Sequence, residues 1–285
     1  MTPARTTPAR MIPARMMWTL FEPLHAVTYF APEGRAAFEA AGLRGFWRGY
    51  FASRSAPLGL APAAVTTALY ANFAPRMVER AIPAVWELAA PERALVARLA
   101  GSVAALARLL DGQDVAEVAT LLQEVAAAAP TGGRALGAAN AALPWPDEPL
   151  AVLWQAATVL RELRGDGHVL AQLAVGLDGL STMVLRSGHD LARESLQPNR
   201  GWTDEEWEAS AARLADRGLL DGDGRATPDG VALLDRAEAL TDELAQQPWT
   251  LAGSQATERI VELATPLAAA ARTALPPVNP IGLPR

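Results

Sequence analysis

Neither cysteine nor lysine occurs among the 285 residues of this chain. The first absence excludes disulfides, thiol nucleophiles, thiolate zinc sites and iron–sulfur clusters. The second excludes Schiff-base chemistry and a Walker-type phosphate loop, whose lysine reaches the nucleotide phosphates. Histidine is scarce as well. His25, His168 and His189 stand far apart in sequence, so no conventional zinc site is expected. No Gly-rich phosphate loop, His-Glu-x-x-His or Ser-centred elbow appears. No apolar run reaches the roughly 18 residues that span a bilayer. No apolar core follows the basic start, as it would in a signal peptide. The expectation is a cytoplasmic protein with no membrane partner.

What the chain does have is apolar surface: 51% of its residues, enough for a large core in one domain or two. The net charge is -6, and no run of arginines supplies the basic face usual in a nucleic-acid binder. The repeated Pro-Ala-Arg unit at the start reads as a disordered leader over 1–15. Helices follow over 18–29, bent near Pro23, then over 32–41, 44–54, 61–73 and 75–88. Leu95, Leu99, Val103, Leu106 and Leu110 recur with the helical period, and a helix over 114–129 continues that pattern. These elements form a helical domain over 16–148.

A second unit is expected over 149–250. Its first helix spans 149–164, with Gly165 as C-cap and Asp166 as N-cap of a helix over 168–175. Another helix spans 179–186. Thr203-Asp-Glu-Glu206 fits a capping box that opens a reading-type helix over 203–217. Asp221-Gly-Asp-Gly224 reads as a hairpin turn, and Thr227-Pro228 opens the next helix. A C-terminal helix bent at Pro266 and an extended, proline-rich tail fill 251–285. The fold class expected is mostly α: a multi-helical N-terminal domain, then a winged helix-turn-helix module with a short β-hairpin wing.

Arg213-Leu-Ala-Asp-Arg-Gly-Leu-Leu, the turn at Asp221 and Thr227-Pro-Asp-Gly-Val-Ala-Leu-Leu together resemble the MarR-type winged helix over about a quarter of the chain. The whole chain is similar to an uncharacterised actinobacterial helix-turn-helix family. That similarity rests on Trp18-Thr-Leu-Phe-Glu-Pro-Leu-His25, Arg44-Gly-Phe-Trp-Arg-Gly-Tyr-Phe and Arg164-Gly-Asp-Gly-His168. The resemblance implies a regulator fold. Two departures weaken its implication of DNA binding. The reading helix opens on Asp204, Glu205, Glu206 and Glu208, which would face phosphates. The wing is short and carries one arginine, Arg225.

Most of the aromatic residues fall in the first third of the chain, from Trp18 to Trp86. They read either as an ordinary helical core or as a pocket for a flat or apolar ligand. The pocket reading takes Trp18, His25, Tyr29, Trp47, Tyr50, Arg164 and His168 as ligand-binding residues. His25, Asp166 and His168 are the catalytic candidates: Asp166 would orient His168, and either histidine would serve as acid or base. The plainer reading is a buried, hydrogen-bonded His25 and a helix joint at residues 164–168. Arg44, Arg48 and Arg54 read as snorkelling at the edge of the aromatics rather than clamping an anion. Arg186, Arg193, Arg200 and Arg225 are the cations available for nucleic acid. No metal is expected, and no particular cofactor is indicated.

Three functions follow. The first is a small-molecule-responsive regulator, acting as a homodimer, with its effector in the N-terminal pocket. The second is a winged-helix fold recruited for cofactor or metabolite binding, or for catalysis around His25 and His168, without DNA. The third is a protein-interaction module using the acidic helix 203–217.

Overall fold

The computed structural model describes residues 14–276, and their regular structure is helical. The expected leader falls mostly outside these residues, with only Ala14 and Arg15 inside them; the last nine residues of the expected tail also lie outside. In chain order the helices are α1 (Ala14–Phe30), α2 (Pro32–Ala40), α3 (Phe46–Ser55), α4 (Ala63–Leu69), α5 (Pro75–Glu79), α6 (Val85–Leu88) and α7 (Pro91–Leu109). They continue as α8 (Ala116–Ala128), α9 (Ala135–Ala141), α10 (Pro149–Ala174), α11 (Gly179–Ser187), α12 (Arg193–Leu196), α13 (Asp204–Asp216) and α14 (Pro228–Arg272).

Three apolar clusters organise them. α1, α8, α10 and α14 enclose the first, around Leu24, Leu122, Leu153 and Trp154. Each fully buried leucine of this kind contributes roughly 1.5–3 kcal/mol of transfer free energy. The second holds the aromatic residues Phe38, Phe51, Tyr70 and Phe73 with the segments around α5 and α6. The third joins α11, α13 and the start of α14 through Leu185, Trp207, Leu214 and Leu220.

Several local expectations change. α1 continues through Pro23 without interruption, because residues 20–29 are all buried and packing holds the helix there. The two helices expected over 61–88 are three short ones, interrupted where Pro75 and Pro83 disfavour helical geometry in their predecessors. α10 continues unbroken through Gly165, Asp166 and Gly167 to Ala174. The expected joint at 164–168 is therefore absent: Leu163, Arg164 and Asp166 are buried against neighbouring helices, and tertiary packing overrides a weak stop signal. α14 is two helices meeting at Gly253, whose φ of 81° favours glycine.

The β-hairpin wing is also absent. Among the described residues there is no β-strand, only a single antiparallel bridge between Leu220 and Ala226. The Asp221 carboxylate accepts from the amides of Asp223 and Arg225, closing a side-chain-capped turn before any ladder develops. Leu219 and Leu220 are drawn into the core instead. The MarR-like outline thus lacks its wing. The capping box does form: Thr203 Oγ1 accepts from the Glu206 amide at 3.2 Å and Glu206 Oε2 accepts from the Thr203 amide at 2.9 Å.

Candidate functional site

The aromatic region and the α11–α13 region meet along one seam. Gly179, the first residue of α11, lies so close to the Ala71 carbonyl that any Cβ would overlap it. Trp202 Nε1 donates to the Asn72 carbonyl at 3.0 Å, and the Ala74 amide donates to the Arg200 carbonyl at 2.9 Å. Arg76 reaches both the Gly201 carbonyl and the Glu206 carboxylate. The start of α13 is thereby tied to the segment before α5.

A cavity of about 260 Å³ opens at this seam. α3 supplies Phe46, Trp47, Tyr50 and Arg54, and the end of α1 adds Tyr29 and Phe30. Tyr70 and Phe73 extend the aromatic wall. The opposite wall is α10, through Arg161, Gly165, His168, Val169 and Gln172. α11 closes it with Thr182, Met183 and Arg186, and Leu196 and Arg200 border it. Among the described residues no aspartate or glutamate lines the cavity.

Behind the α10 wall lies a dry ionic network. Arg54 grips Glu162 with two parallel bonds, Nε to Oε1 at 2.9 Å and Nη2 to Oε2 at 2.7 Å. Its third nitrogen donates to the Tyr50 hydroxyl, and its guanidinium lies 4.4 Å from the Tyr70 ring centre. Arg161 also donates to Glu162, at 2.7 Å, and to Glu22, at 3.4 Å. Burial opposes ionisation of Glu162, but Arg161 and Arg54 together hold its carboxyl well below the usual range.

The two histidines share a local design. Thr158 donates its proton to the Trp154 carbonyl, so its oxygen accepts from His25 Nδ1 at 2.9 Å. His25 Nε2 is then the acceptor for the Tyr29 hydroxyl, 3.0 Å away. Thr241 likewise donates to the Ala237 carbonyl and accepts from His168 Nδ1 at 3.0 Å, leaving His168 Nε2 to accept from Gln172. Both rings carry their proton on Nδ1. Burial, reinforced by Arg161, pushes His25 well below the ordinary histidine value. Burial also lowers His168, against the opposing pull of Glu238. Both are neutral imidazoles at neutral pH.

The candidates named from sequence are distributed around this cavity. Tyr29, Trp47, Tyr50 and His168 line it, and His25 stands one side chain behind Tyr29. Trp18 and Arg164 are elsewhere: Arg164 pairs with Asp242 and Glu238 and lies over the Trp18 ring. Asp166 points away from His168 and accepts from the Gly137 amide at 2.9 Å. Two residues apart on a helix, they face different directions. Burial raises Asp166 to about 6. Of the arginines considered for nucleic acid, Arg186 and Arg200 line the cavity, Arg193 pairs with Asp204 and Glu208, and Arg225 pairs with Asp223 on the exposed turn. Among the described residues no group of three histidine, aspartate or glutamate side chains is placed to hold a metal. No single described helix is long and apolar enough to cross a membrane.

Sequence reading missed Arg161 and Glu162, and it read Arg54 as snorkelling where the structure buries it against Glu162. A signal was present. Arg161-Glu-Leu-Arg164 interrupts a helix whose preceding turns are uncharged and mostly apolar, so charge there had to be buried or paired.

Residues 14–276 match a family described as a helix-turn-helix family, and the chain belongs to it. No curated protein and no solved structure matches the chain.

Proposed function

Taking membership in a helix-turn-helix family as premise, we propose that the protein is a small-molecule-responsive, DNA-binding regulator whose effector occupies the cavity. One observation carries the reading. The cavity is walled on one side by α3 and on the other by α11 and the segment leading to α13, so an occupant touches both at once. A ligand shifts an equilibrium only through contacts that differ between two states, and a site shared by two packed regions supplies such contacts. The acidic start of α13 is less of an obstacle than its sequence suggests. Arg76 bonds Glu206, and Arg193 bonds Asp204 and Glu208. Arg213, in the last turn of α13, and Arg225, on the exposed turn after it, are exposed and are the cations offered to phosphates. A homodimer belongs to this reading, because a two-fold pair reads two half-sites.

Selection of a randomised duplex library by the full chain tests it. Enrichment of discrete sequences is expected, with affinity that falls steeply as salt rises. Glu205→Arg should tighten binding about tenfold, in line with added phosphate contacts. No retention of any duplex at low salt overturns the DNA reading.

A further inference from the structure

Among the described residues, the lining of the cavity carries arginines and no carboxylate. Arg54 and Arg161 line it, and Arg98 reaches the Ser53 carbonyl beside Arg54 from the far side of α3. Arg54 and Arg98 are buried, at 9% and 6% exposure, and Arg161 is partly buried, with 14% of its side chain exposed. Asp166 acts on Arg54 through space, and Glu22 and Glu162 answer the arginines by direct bonds. Both glutamates are already engaged, Glu22 by Trp18 and Arg161, Glu162 by Arg54 and Arg161. Arg98 has no carboxylate against it and stacks 5.2 Å from the Trp154 ring centre. Burial lowers it to about 10, which still leaves it charged at neutral pH. The tyrosines supply no negative charge, because burial pushes Tyr29 and Tyr70 upward. Both nearby histidines are neutral. Arg186 at the rim is matched by Asp190. Arg54 and Arg161 therefore line the cavity while the carboxylates that bond them do not.

The opposite wall is aromatic. Trp47, Tyr50 and Phe73 present ring faces and edges within about 6 Å of one another, suited to a flat body. The volume is below the roughly 300 Å³ at which drug-sized ligand sites begin, which fits one or two fused rings.

We propose that the cavity takes a small aromatic acid, with its ring against Trp47, Tyr50 and Phe73 and its single negative charge at Arg54 and Arg161. This rests on the reading of the cavity as a ligand site. A carboxylate there would accept from guanidinium groups already fixed in place by Glu162, with no acidic side chain among the described lining residues to repel it.

Calorimetry with the full chain tests it, using 1-naphthoate against 1-naphthamide and benzoate against benzamide. Each pair has one shape and differs in charge. The acid should bind at least about tenfold tighter than its amide, the scale of one added charge-assisted bond. Acetate at the same concentration should not displace it. Arg161→Gln should weaken the acid far more than the amide and so abolish the preference, and Arg161→Lys should keep part of it. Should Arg161→Gln not fold, Arg54→Lys, which retains charge but loses the two-bond grip on Glu162, should narrow the preference instead. Equal binding of acid and amide overturns the ligand class and leaves the cavity as a ligand site. Displacement by acetate overturns the aromatic requirement. Binding of none of the four probes overturns both the ligand class and the site.

Discussion

Arg54 and Arg161 meet Glu162 in the dry wall of the cavity, while Arg76 and Arg193 meet Glu206, Asp204 and Glu208 at the wet start of α13. The chemistry of the pairs is the same and their surroundings are not. The Glu162 side chain is 2% exposed; that of Asp204 is 80% exposed. Removing a partner from a dry pair leaves a stranded charge, at a cost of about 3–5 kcal/mol. The exposed pairs are individually worth about 0–1 kcal/mol and weaken with salt. The first set fixes the architecture of the cavity wall. The second neutralises carboxylates that would repel phosphate, and salt or a competing anion can release it.

The largest break in this comparison is Glu162→Gln. It strands Arg54 and Arg161 and should lower unfolding free energy by about 3–5 kcal/mol in urea titration. A loss below about 1 kcal/mol would place the pair in the exposed class.

Asp166 sharpens the contrast from the other direction, as a buried carboxylate held by the Gly137 amide and no arginine bond. Its folded value is about 6, above the ordinary aspartate value of 3.8. The folded protein therefore holds this proton more tightly than the unfolded chain. Stability falls as pH rises through the window between those values and stays reduced above it. Asp166→Asn keeps an acceptor for Gly137 and should add roughly 2 kcal/mol at neutral pH. It should also flatten the stability profile between 3.8 and about 6. An unchanged profile would show that Asp166 ionises freely.

Smaller effects belong to α13. Glu206→Ala removes both the capping-box acceptor and the bond to Arg76, and should cost about 1 kcal/mol. The Arg76 bond lowers Glu206 to about 2. Its contribution is present above the ordinary glutamate value and is lost as pH falls toward 2. Asp204→Asn, at the most exposed carboxylate of the α13 pairs, should change stability by less than about 0.5 kcal/mol, and added salt should erase the difference. A larger, salt-independent loss would mean that α13 is held by these pairs rather than by Trp207 and Leu214.

The helical character, the capping box at Thr203, the turn at Asp221 and the aromatic concentration around α3 were all legible in the sequence, because each is set by local chemistry or period. The joint at 164–168 and the wing were not. Gly165 and Gly167 are weak stop signals, and the burial that overrides them comes from α9 and α14, distant in sequence. Asp221-Gly-Asp-Gly224 does turn the chain, but the flanking leucines pack inward and leave no residues to pair as strands. At the site, Tyr29, Trp47, Tyr50 and His168 could be named from residue type alone. The Arg54–Glu162–Arg161 network could not, since its members lie 107 and 108 positions apart across two helices.

Hydrogen exchange of the full chain with and without saturating 1-naphthoate tests the central claim most directly, that one occupied cavity bears on both regions. The account predicts slower exchange in α3 and also in α11 and the start of α13, because the ligand contacts both walls. Slowing confined to α3 and α10, with α11 and α13 unchanged, would contradict it.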